Sequence, residues 1–270
     1  MLFPFANLLE KLACFIVRDS KVGDAEEILD ARLMATPSIA LDQCKKVVTS
    51  MFEKTQNGVN TACQMLTDFS DEKMESVLEL EKKVDKYEDT LGTYLVQISK
   101  QNLSEQDSRE VSEILHIIGD VERISDHSVS IAKSAKEINS KNLNFSSKAK
   151  DEIQIMIEAT EEILKNAQTA FLDDDTEKAM DVEAMERVID KLKHQLKKRH
   201  VDRLKNGECT IEHGFVMTDI ITSLERISDH CSNIASCVEE IGHGSLEIHA
   251  YTRDVSCLLY TSYAADDTPC

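Results

Sequence analysis

Six residues, Glu-Arg-Ile-Ser-Asp-His, stand at Glu122–His127 and again at Glu225–His230. Their Glu and Asp are four residues apart, which on an α-helix puts both carboxylates on one face, one turn apart. Helical spacing also recurs upstream, in Glu81 with Asp85 and in Glu186 with Asp190, two pairs 105 residues apart. If the segments carrying these pairs pack side by side, four carboxylates face one another in each of two places. Such crowding raises carboxyl pKa values or costs stability, and a multivalent cation relieves it. A donor set of carboxylates without cysteine selects hard, oxygen-loving cations: iron(III), magnesium, manganese or calcium. Arg123 and Arg226 are the competing partners, because an ion pair would satisfy the same carboxylates without metal. His127 and His230 are expected to pack or hydrogen-bond rather than ligate. A different chemistry is hinted at by Glu113-Ile-Leu-His116 and Glu240-Ile-Gly-His243. Their spacing matches half of a carboxylate-bridged di-iron enzyme site. The two lie at non-equivalent places in the repeat, however, so this expectation is the weaker one.

The hexapeptide belongs to a longer duplication. At an offset of 103 residues, Ile117–Ile138 and Ile220–Ile241 agree at 12 of 22 positions. A long-period repeat means one structural unit built twice. Apolar residues recur every three or four positions in six stretches: about 38–69, 71–101, 105–138, 147–172, 176–204 and 211–241. Pro37 suits a first helical turn, Ser70 a cap, and Asn206-Gly207 a helix end. The aspartates 173–175 suit a helix N-terminus. Asn139–Ser147 is the boundary between units. The expected fold is all-α: two tandem antiparallel three-helix bundles, because short connections force neighbouring helices to alternate in direction. The divisions are a leader or juxtamembrane connector over 1–36, a first unit over 37–140, a second over 145–254, and a tail over 255–270. The tail has no helical period and reads as frayed or non-native sequence.

Composition agrees with helices. The 270 residues include no Trp, three Pro and eight Gly, and 30% are charged. A net charge of −19 argues against nucleic acid and against anionic lipid surfaces. Eight cysteines form no Cys-x-x-Cys pair, which favours a reducing, cytoplasmic setting. Cys231 falls on the apolar stripe and is expected to be buried. Leu2–Val17 is apolar but interrupted by Glu10 and Lys11 and too short to span a bilayer. It reads as the end of a membrane span, an interfacial helix or a segment packed on the bundle. There is no nucleotide loop, nucleophile elbow or catalytic Cys/His pair, so the chain is expected not to be an enzyme.

The motif Glu-Arg-Ile-Ser-Asp-His-x-x-x-Ile-Ala, present twice and preceded each time by a Glu-x-x-x-Asp helix, resembles the PhoU family of phosphate-uptake regulators. The resemblance covers about Ser38–Ile248. It implies tandem three-helix bundles and metal, iron first, bound through Glu81, Asp85, Glu122, Asp126, Glu186, Asp190, Glu225 and Asp229. The leader, Leu2–Leu12 with Ala31-Arg32-Leu33 and Thr36–Leu41, is similar to the stretch that joins the last membrane helix of bacterial sodium/phosphate cotransporters to their C-terminal PhoU-like domain. This implies a regulatory domain on the cytoplasmic side of the plasma membrane. Its partner would be the membrane transport domain of the same protein, or another phosphate transporter, and a homodimer stays open. The alternative is a freestanding regulator of an ABC phosphate importer and its sensor kinase.

Overall fold

The computed structural model describes residues 29–242. Residues 1–28 of the expected leader, 243–254 of the expected second unit and the whole expected tail lie outside them. A short 3-10 turn, Ala31–Ala35, leads into six α-helices: α1 (Pro37–Met65), α2 (Asp71–Ile98), α3 (Glu105–Ser140), α4 (Ser147–Asp173), α5 (Thr176–Lys205) and α6 (Ile211–Gly242). The all-α, twice-three-helix architecture expected from periodicity is the one observed.

Local chemistry sets the helix ends. Side chains of Ser70, Ser104, Ser146 and Asp175 each accept a hydrogen bond from the backbone N–H three residues on. At Ser104 the cap is reciprocal, since the Asp107 carboxylate also accepts from the Ser104 N–H at 3.3 Å. Replacing Ser104 by Ala is expected to lower stability by about 1 kcal/mol, read as the shift of a urea unfolding midpoint. Gly207 ends α5 at φ +72°, where a Cβ would be strained. Two helices stop earlier than their apolar pattern. The α1 pattern reaches Phe69, but the helix closes at Met65 in a turn in which Thr67 N–H donates to the Gln64 carbonyl. The α2 pattern reaches Gln101, but the helix closes at Ile98, where the Gln101 N–H turns back to the Ile98 carbonyl. Apolar spacing carries no information about such closing turns.

Within each triplet every helix packs on the other two, and the triplets join through α3 on α6 and α1 on α4. The α3–α6 pairing is antiparallel: Lys141 meets Glu212 at 2.8 Å at one end, and Asp120 meets His230 at 2.8 Å near the middle. Equivalent residues of the two repeats, His127 and His230, stack with ring centroids 5.7 Å apart. The units therefore meet about a local pseudo-two-fold axis. One apolar core runs through both, including Met51 and Phe52 of the first and Met156 and Phe171 of the second. Cys231 is fully buried within it.

Polar groups are also buried between helices. On α4, Glu152 is 8% exposed and pairs with Arg203 of α5 at 2.8 Å. Arg199, one turn earlier, lies 3.5 Å from the other carboxylate oxygen and is largely exposed. No helix among the described residues is long and apolar enough to cross a membrane.

Candidate functional site

Helix α2 presents Glu81 and Asp85 toward α3, which presents Glu122 and Asp126. Glu81 and Glu122 are half-buried beside the apolar seam, and Asp85 and Asp126 are exposed. Their closeness shows in their electrostatics. The Glu81 carboxyl is raised by burial and then by the charges of Asp126 and Asp85. Glu122 is pushed up to about 6 by burial, then by Asp126, Glu88 and Asp85. The packing of α2 on α3 thus brings together all four carboxylates expected in the first unit. It adds a fifth, Glu88, one turn beyond Asp85 on the same face.

The second unit repeats the geometry with different chemistry. Glu186 is raised by burial and by Asp229 and Asp190. Asp229 is raised by burial and by Glu225. Here, however, cations reach the rim. Lys193 forms an ion pair with Glu225, whose side chain is 8% exposed. Arg226 pairs with Asp229 at 3.2 Å, as the competing reading of that arginine expects. At the 105-residue offset, Lys193 of α5 corresponds to Glu88 of α2. One rim is therefore partly neutralised by its own lysine, and the other carries an extra negative charge in that place. The substitution is legible in the sequence once the offset of the second helices is applied to every position on that face, not only to the motif.

The donor set suits a hard cation. In the first rim the repulsion among carboxylates adds to burial and is only partly opposed by Lys82, Lys133 and Arg123. In the second, Glu225 Oε2 is buried without a hydrogen-bond partner among the described residues. As the side chains stand, no group of three or more acidic, His or Cys residues among the described residues is gathered tightly enough to hold a metal ion. A shared cation would be reached only if rim side chains, such as the exposed Asp85 and Asp126, rotated.

The two histidines of the hexapeptides lie between the units. His230 Nδ1 is 2.8 Å from Asp120 Oδ1, and Asn233 donates to the same oxygen at 3.1 Å. Both histidines pack and one hydrogen-bonds, as expected for non-ligands. Burial lowers the His127 pKa, and the neighbouring His230 lowers it further. The Glu-x-x-His reading fares differently. Glu113 is buried while His116 is exposed and bonded to the Ser112 carbonyl, so the pair does not share an inward face. The side chains of Glu240 and His243 lie outside the described residues.

Fold and rims together define a duplicated three-helix-bundle protein with paired carboxylate faces. The family model described as PhoU domain matches residues 48–135 and again 153–238, one match per unit, and the chain belongs to that family. Among curated relatives, the phosphate-specific transport system accessory protein PhoU homolog 1 of Thermotoga maritima is 26% identical over 198 residues. That alignment covers 73% of this chain and 84% of the relative. The PhoU homolog of Deinococcus radiodurans is 25% identical over 227 residues, 82% of this chain and 99% of the relative. Among solved structures, PhoU from Pseudomonas aeruginosa superposes with a TM-score of 0.72 at 22% identity, covering 76% of this chain and 98% of that one. The phosphate transport system regulatory protein PhoU from Streptococcus pneumoniae gives 0.70 at 19% identity, covering 78% and 99%.

Proposed function

We propose that this chain regulates phosphate uptake by a transporter, working as a non-catalytic domain on the cytoplasmic face of the plasma membrane. The observation that carries the reading is the match of a PhoU domain to each of the two units. Relatives that align with most of this chain bear the name of phosphate-transport accessory proteins. Metal would be held by Glu81, Asp85, Glu122 and Asp126 in the first unit and by Glu186, Asp190, Glu225 and Asp229 in the second. Iron is the first expectation, with magnesium, manganese or calcium as the other hard cations that fit. Bound there, the cation would neutralise the facing carboxylates and tie the second helix of each unit to the third. The first rim is the stronger candidate, because Glu88 stands where the second rim has Lys193.

The transporter is proposed to be sodium-dependent, with its membrane domain as the partner. The support is the leader, whose sequence resembles the connector of sodium/phosphate cotransporters. The relatives' names, as accessory proteins of a phosphate-specific transport system, favour a second reading, a freestanding accessory protein, whose transporter would be an ABC importer. Both are tested by phosphate uptake in cells with and without the chain. A change confined to sodium-driven uptake supports the first, and a change confined to ATP-driven uptake supports the second. Uptake unaltered in both would remove the regulatory reading.

A further inference from the structure

A cavity of about 370 Å³ opens where α1, α3, the α4–α5 turn and α6 meet, away from both carboxylate rims. Its charged lining is Lys45, Arg109, Glu110, Glu113 and Asp174. The two cations are already engaged: Lys45 pairs with Glu110 at 3.2 Å, and Arg109 with Glu105 at 2.9 Å. Glu113 is not. It is only 7% exposed, it lines the cavity, and among the described residues it makes no hydrogen bond and no ion pair. Burial pushes its carboxyl up to about 7, with Lys45 opposing and Asp174 and Glu110 adding to the shift.

The duplication supplies an internal control. At the 103-residue offset the place of Glu113 is taken by Val216, 1% exposed. The helix therefore does not need an acid there in order to pack. Glu113 is thus an acid that the packing of its helix does not require, and among the described residues nothing donates to it.

An acceptor largely withdrawn from bulk water, facing a cavity and lacking a protein donor, gains from a ligand N–H. The volume falls within the usual range for small-molecule sites. A chelated metal fits less well, because no three acidic, His or Cys side chains converge there among the described residues. We propose that this cavity binds a small organic cation, a primary amine or guanidinium, whose N–H groups donate to Glu113. Asp174, exposed where the α4–α5 turn borders the cavity, adds negative field at its edge. Because α6 contributes Val238, the ligand touches elements of both units.

Calorimetric titration of the full chain with agmatine and with putrescine, at about pH 8 where the carboxyl is ionised, tests this. At least one amine is expected to bind at a millimolar or tighter Kd. Binding should weaken about tenfold or more in both Glu113→Gln and Glu113→Val, the loss of one charged hydrogen bond. Glu113→Val installs the residue the other repeat already uses, and thermal melting establishes that both variants are folded. The proposal is overturned if neither amine binds, if folded variants bind as well as the parent, or if manganese alone gives heat that Glu113→Gln abolishes.

Discussion

Replacing Arg203 by Leu is expected to cost about 3–5 kcal/mol, the loss that follows when one partner of a buried ion pair is removed. The reasoning starts from Glu152, whose side chain is 10% exposed and whose pair with Arg203, itself 11% exposed, spans 2.8 Å. Removing the guanidinium leaves a carboxylate enclosed between α4 and α5 with only the exposed Arg199 at 3.5 Å to answer it. The desolvation cost of both charges has already been met in the native protein, so losing one partner forfeits the attraction and keeps the penalty. Removing both charges together, Glu152→Leu with Arg203→Leu, is expected to restore most of the stability. The readout is a denaturant midpoint for the single and double variants. A single variant within 1 kcal/mol of the parent would show that the pair is solvated instead.

Glu113→Gln should act in the opposite direction and only at higher pH. The folded-state carboxyl is raised from 4.5 to about 7, so the native state holds a proton that the unfolded state releases. Stability from this site is therefore full below the unfolded value and is lost as pH rises from about 4.5 through 7. The full shift corresponds to about 3–4 kcal/mol, which solvent screening of the cavity-facing carboxyl reduces to roughly 2–3 kcal/mol. An amide of the same shape does not titrate, so parent and variant should melt together near pH 4.5, and the variant should lead near pH 8. Glu81, Glu88, Glu122, Glu161, Glu186 and Asp229 are also raised, each first by burial. These carboxyls favour mild acid, while His127 and His200, lowered by burial, favour the alkaline side. The difference between parent and variant isolates Glu113 from that background.

The six helices were legible because a period of three to four apolar residues persists over each, and because Pro37, Ser70 and the aspartates 173–175 mark starts. The closing turns after Met65 and Ile98 were not legible, since their hydrogen bonds are made by the backbone, whatever the side chains. The carboxylate rims were legible from the doubled Glu-x-x-x-Asp spacing. The difference between the rims lies at Glu88 and Lys193, outside the motif, where no repeated spacing marks it. Glu113 stands out in the sequence only by its spacing from His116, which the helix does not turn to one face. Its real singularity, an acid where the repeat has Val216, appears only when burial is known. Asp120 is a similar case: the repeat has Ser223 in its place, and only the α3–α6 packing reveals that it receives His230 and Asn233.

The most direct test of a metal-holding regulatory domain is the metal content of the full chain, purified without a metal-affinity tag and measured by elemental analysis. The parent should carry bound metal, with iron the first expectation. Glu81→Gln with Asp126→Asn should lose most of it. Glu186→Gln with Asp229→Asn should lose less, because Lys193 already answers part of that rim. A parent free of metal, or a first-rim variant that keeps the parent's full content, would contradict the assignment.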